Sequence, residues 1–144
     1  VLEILDETQQ FQQRPTLERV LHAYLRELGI AQTVTIILCD DAQIHQLNLA
    51  HRGVDAATDV LSYPMSEPDD VNMPWVEQLG DVFISIDTAA RQARQHGLTL
   101  LEEVLRLAAH GITHLRGFDH PTEDAWQTFH NAQDTVLALY RAAP

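Results

Sequence analysis

One very apolar helix constrains the fold of this chain more than any other segment. The run Thr99-Leu100-Leu101-Glu102 sets a threonine and a glutamate three residues apart, the spacing at which each side chain caps the other's backbone N–H. The apolar pattern that follows reaches about Leu115, so the rest of the chain must supply elements to cover it.

Those elements can be read from local signals. Pro15 and Thr16 open a helix that carries Leu17, Val20, Leu21, Tyr24, Leu25 and Leu28 on one face and stops at Gly29. Thr33 to Cys39 is β-branched and apolar and reads as a buried strand. Asp40 or Asp41 caps a short helix through Ile44 and Leu47, and Asn48 to Thr58 reads as a polar connection. Asp59 to Tyr63 and Leu79 to Ile86 read as strands, with the long loop Pro64 to Gln78 between them. Asp87 is placed to cap a helix that ends at Gly97. Pro121 starts a final helix with an inner face of Trp126, Phe129, Gln133, Val136, Leu137 and Tyr140. Val1 to Leu5 adds an edge strand. The expectation is a single α/β (α+β) domain over residues 1–144, a small mixed sheet of about four strands packed by about five helices.

Composition narrows the function. No apolar run approaches the roughly 18 residues of a membrane span, and Val1-Leu2-Glu3-Ile4 has no basic region leading into an apolar stretch, so neither membrane nor secretion is expected. The lone Cys39 sits in an apolar strand and reads as a buried core thiol, which fits the cytoplasm. Net charge is −12 with no lysine at all, the opposite of a general nucleic-acid binder. A phosphate-bearing ligand would have to be met by local arginines or by a metal.

The chemistry concentrates in His110-Gly111-Ile112-Thr113-His114-Leu115-Arg116-Gly117-Phe118-Asp119-His120. His110 and His114 are four apart on a helix and therefore share a face. Gly117 lets the chain reverse, so that His120 can approach the same ion. Three imidazoles with a vacant fourth position describe a catalytic zinc site, although Ni²⁺ and Cu²⁺ also suit imidazole. The other histidines (His22, His45, His51, His96 and His130) lack ligand spacing and read as ordinary surface or helix residues. The spacing also matches zinc peptidases of the metzincin type, but those place a glutamate base after the first histidine. Here that residue is Gly111, which cannot move a proton.

The segment resembles the signature of the YbeY endoribonuclease family, H-G-x-L-H-L-x-G-Y-D-H, with Phe118 in place of tyrosine and Thr113 in place of leucine. Two further blocks are similar to the same family. One is Leu47-Asn48, then Arg52, then Thr58-Asp59-Val60-Leu61-Ser62-Tyr63-Pro64; the other is Leu79-Gly80-Asp81-Val82-Phe83-Ile84-Ser85. The resemblance implies a metal-dependent hydrolase of single-stranded RNA in ribosomal RNA maturation and ribosome quality control. It further implies partners in precursor ribosomal RNA and a ribosome or ribosome-associated protein, His110, His114 and His120 as zinc ligands, and Arg52 as a functional, catalytic residue of the cleft.

Other roles stay open at this level. Arg52, taken by itself, reads equally as a solvated residue or a partner of Asp55. Asp119 either orients a zinc-bound histidine or shapes the turn before Pro121. Thr58, Asp59 and Ser62 either line the cleft or form a hydrogen-bonding cluster at a strand start, and Asp81 reads as structural. Arg116 is either a phosphate contact or a solvated helix end. Arg91 and Arg94 are candidates to make the cleft cationic. Two competing functions remain beside the ribonuclease: a peptidase, and a non-catalytic ribosome-assembly protein in which zinc only holds the fold.

Overall fold

Strand β2 (Thr33–Cys39) is the seven-residue apolar run, and the sheet is built on it. β1 (Leu2–Asp6) pairs parallel on one side of it and β4 (Gln78–Ser85) parallel on the other. β3 (Val60–Pro64) runs antiparallel to β4 and ends the sheet, giving the order β1-β2-β4-β3. The structure is a computed structural model, and it describes residues 1–65, 77–119 and 123–142. Most of the expected loop from Pro64 to Gln78 lies outside them, as do His120 and Pro121.

Five helices cover this sheet: α1 (Arg14–Glu27), α2 (Asp41–Arg52), α3 (Ile86–His96), α4 (Leu100–Leu115) and α5 (Glu123–Ala142). The mixed α/β architecture matches the expectation. One face buries Val34, Ile36, Leu38, Val82 and Ile84 against α1, α4 and α5, while Cys39, Leu61, Tyr63 and Phe83 face the other way and pack with Ile44 and Leu47 of α2. This division follows from the two-residue period of a strand. α4 is the central helix. Its capping box forms, Leu101, Val104, Leu105, Ala108, Ala109 and Ile112 are buried, and it contacts β3, β4, α3 and α5. Cys39 is fully buried, and burial, reinforced by Asp40 and other acids, pushes its thiol up to about 12. Among the described residues no helix is long and apolar enough to cross a membrane.

Three local expectations need correction. α2 does not stop near Leu47; it continues to Arg52, where Gly53 closes it at φ 69°. Asn48 looks like loop chemistry, yet it is 1% exposed and donates its amide to the Ala56 carbonyl at 2.9 Å, which folds the connection back on the helix. Asp87 does not cap α3. Ser85 does, and the Asp87 carboxylate instead accepts the Asp41 N–H at the start of α2 (2.9 Å). Trp126 is not on the inner face of α5 but 42% exposed, whereas Phe129 and Val136 are fully buried.

Candidate active site

Because α2 and α4 lie on opposite faces of the sheet, their ends can meet only around a sheet edge, and β3 is that edge. A cavity of about 420 Å³ opens there. Arg52 enters it from the last turn of α2, Thr58 and Asp59 from the connection that follows, Ser62 from β3, His110 and His114 from α4, and Asp119 from the loop beyond α4. Arg52, Thr58, Asp59, Ser62, His110, His114 and Asp119, all nominated from the sequence, therefore line one cavity, whereas Arg91, Arg94 and Arg116 do not. His120 lies outside the described residues.

The two histidines are half-buried, with ring centroids 4.9 Å apart on one face of α4. Phe129 of α5 sits 4.6 Å from the His110 ring and 4.7 Å from the His114 ring, and it is fully buried. It acts as a floor that limits how far either imidazole can swing. The His114 Nδ1 lies 3.1 Å from the Phe118 carbonyl. A carbonyl only accepts, so Nδ1 carries the proton and Nε2 carries the lone pair that a cation needs. Neither Phe129 nor the Phe118 carbonyl was legible as a site group: one looks like ordinary core and the other is backbone.

Two imidazoles one helical turn apart, one with its tautomer set, are suited to a zinc-type ion. Among the described residues no group of three His, Cys, Asp or Glu side chains is placed to hold a metal, and His120 is not one of those residues.

Gly111 sits between the histidines but on the buried, sheet-facing side of α4. A Cβ there would fall 2.5 Å from Val82 Cγ1 and 3.0 Å from the Ser62 hydroxyl. The glycine is thus what lets α4 settle on β3 and β4, and the Ser62 hydroxyl secures the contact by donating to the Gly111 carbonyl at 3.2 Å. A glutamate base of the peptidase type has no room at this position.

Charge in the cavity is sparse and local. The Arg52 guanidinium is exposed and forms no ion pair among the described residues; Asp55 pairs instead with His45 (2.6 Å). The Asp59 carboxylate accepts from the Val60 N–H (2.8 Å) and from Gln92 (3.2 Å), so it organises the start of β3 while facing the cleft. Arg91 does not reach the cavity, because it is paired with Asp41 at 2.8 Å, and Arg94 does not line it either. Tyr63, beneath the same edge, packs between the rings of His51 (5.0 Å) and Phe83 (5.5 Å). Burial raises its phenol pKa, against the pull of Arg52.

Comparison with known proteins adds an independent line. Residues 3–141 match the family model described as endoribonuclease YbeY. The chain is 48% identical over 126 residues to the endoribonuclease YbeY of Thermus thermophilus, covering 87% of this chain and 89% of that protein. The Deinococcus radiodurans endoribonuclease YbeY is 47% identical over 131 residues, 83% of each chain. In three dimensions the chain resembles the solution structure of TM1509 from Thermotoga maritima, with a TM-score of 0.68 at 26% identity, covering 100% of this chain and 94% of that one.

Proposed function

This chain belongs to the endoribonuclease YbeY family, and from that premise we propose that it is a zinc-dependent endoribonuclease specific for single strands, acting in ribosomal RNA maturation and ribosome quality control. The observation that carries the reading is the meeting of Arg52 with His110 and His114 in one cavity at the β3 edge. His110 and His114, with His120, are the residues that would hold the ion. When bound, zinc supplies Lewis acidity toward a phosphoryl oxygen and lowers the pKa of water toward neutrality.

The chain's own residues do the rest. Arg52 binds a scissile phosphate through two parallel N–H donors, and its charge opposes the negative charge that builds on the phosphoryl oxygens. Phe129 and the Phe118 carbonyl keep the imidazoles oriented, so little reorganisation accompanies the reaction. Edge placement supports a preference for single strands, since a cleft at the edge of the sheet admits an extended chain more readily than a duplex. The net charge of −12 predicts weak intrinsic affinity for bare RNA, with delivery by the ribosome or a ribosome-associated protein in the cytoplasm.

The test uses purified protein on single-stranded RNA, duplex RNA and a peptide library, each with and without chelator. Chelator-sensitive cleavage of single-stranded RNA alone is expected. Arg52→Ala should lower that cleavage by about 10²–10³-fold at unchanged zinc content. Equal cleavage by the variant removes Arg52 from the mechanism, and cleavage of peptides instead returns the peptidase.

A further inference from the structure

A second cavity, of about 210 Å³, lies between α1, α4 and α5 and shares no lining residue with the first. Its wall is made by Tyr24 and Leu28 of α1, Thr113 and Arg116 at the end of α4, and Thr128, Asn131, Ala132 and Thr135 of α5. It is smaller than the ~300 Å³ typical of a drug-sized ligand site, so it suits a single small group. In a chain of net charge −12, the described residues of this wall include an arginine and no carboxylate.

Its donors are the buried Tyr24, the partly buried Arg116 and the exposed Asn131. Tyr24 is 1% exposed, and its hydroxyl is buried with no hydrogen-bond partner. Thr113 is beside it; the Thr113 hydroxyl gives its proton to the Ala109 carbonyl at 2.7 Å and so cannot donate to the phenol oxygen. A buried hydroxyl without a partner is unfavourable, and a ligand oxygen would recover that cost. The final carbonyls of α4 are occupied, since Ile112, Thr113 and His114 accept from the N–H groups of Arg116, Gly117 and Phe118, and the Arg116 cation sits at this negative helix end. Asn131 accepts from the Gln127 amide at Oδ1 and from the Thr135 hydroxyl at its backbone carbonyl, which leaves the side-chain N–H₂ as its donor.

One residue joins the two cavities. The Arg116 guanidinium lies over the Phe118 ring, 5.5 Å from its centroid, while the Phe118 carbonyl sets His114. We propose that Tyr24, Arg116 and Asn131 bind a tetrahedral oxyanion of the phosphate class, and that Phe118 transmits occupancy of this cavity to His114. Moving Arg116 toward an anion draws it off the Phe118 ring and alters the support of the Phe118 carbonyl. The phosphate group can belong to a free small molecule or to an RNA strand.

The experiment follows amide and imidazole NMR shifts of metal-free Arg52→Gln protein, so that the first cavity does not contribute its arginine. Inorganic phosphate is added at constant pH and ionic strength, and a short single-stranded RNA is added in a second arm. Saturable shifts at Thr113, Arg116 and Asn131, with the His114 ring following the same curve, are expected with phosphate. Saturation by RNA and not by free phosphate assigns the group to the strand. Adding Tyr24→Phe, which preserves shape, or Arg116→Gln should weaken binding by about tenfold, the loss of one hydrogen bond to a charged group. Non-saturating shifts in both arms, or an affinity in both variants unchanged from that of the Arg52→Gln protein, overturn the site. Saturation with a stationary His114 ring overturns the link through Phe118.

Discussion

The two ends of α4 put similar side chains to opposite uses. Near its start, Glu103 is fully buried yet completely satisfied: Arg106 donates to its carboxylate at 2.7 and 3.0 Å, and His96 Nδ1 lies 3.0 Å away. Arg106 continues to Gln133 of α5 at 3.1 Å, so one buried acid ties α3, α4 and α5 together. Near its end, His110 and His114 are half-buried and tilted against the Phe129 ring, and they line a cavity open to ligands. The same helix therefore closes its polar chemistry at one end and presents it at the other. What separates a structural histidine from a ligand here is geometry: His96 answers a buried carboxylate, whereas His110 and His114 share a face over an aromatic floor.

Replacing a group at each end should separate the two roles. His114→Ala should reduce RNA cleavage by at least about a thousandfold and lower zinc affinity, while the melting transition changes little. Glu103→Ala should do the reverse. It leaves Arg106 without its carboxylate and should cost about 3 kcal/mol by chemical denaturation, with near-normal zinc content in the molecules that remain folded. If His114→Ala unfolded the chain and Glu103→Ala left stability intact, the contrast between the ends would be inverted.

That contrast was partly legible in the sequence. The Thr99–Glu102 box and the four-residue spacing of His110 and His114 are local patterns, and both elements appear where they were expected. The buried strand Thr33–Cys39 was equally plain, because β-branched residues without polar interruption leave few alternatives. Misreadings arose where tertiary contacts overrode local chemistry. Asn48 resembles a loop residue until Ala56 folds back to accept its amide, and that return carries α2 on to Arg52. Ser85 outcompeted Asp87 as a cap because Asp87 is occupied with the start of α2. Gly111 was read for the base it lacks, whereas the positive reason for it, contact with Val82, needs a partner 29 residues away and cannot be seen in one segment. The Phe118 carbonyl was invisible for a simpler reason, since backbone groups carry no sequence signal.

Gly111 offers a finer test, because it occupies the ligand end of α4 but performs packing work. Gly111→Ala should gain helix propensity and still destabilise by about 1–2 kcal/mol, because Val82 is β-branched and stiff and cannot cheaply relieve a Cβ contact of 2.5 Å. A double-mutant cycle with Val82→Ala should show the two changes compensating, measured by urea denaturation. Additive costs would mean that α4 does not rest on Val82, and the argument against a glutamate at this position would weaken with it.

The smallest effect belongs to the opposite end. The Thr99 N–H and Arg141 hold the Glu102 carboxyl below its ordinary value of 4.5. A carboxylate whose pKa is lower in the folded state adds stability above the unfolded pKa and loses it as pH falls through the folded one. Glu102→Gln should therefore cost up to about 1 kcal/mol at neutral pH, with no change in zinc affinity at the far end of α4. The difference from the parent chain should begin to shrink near pH 4.5 and vanish below the depressed native value. Thermal unfolding of both proteins across that range checks the sign. A cost that stays constant into acid would assign Glu102 a role independent of its charge, since glutamine keeps the hydrogen-bonding shape of the cap and discards only the ionised oxygen.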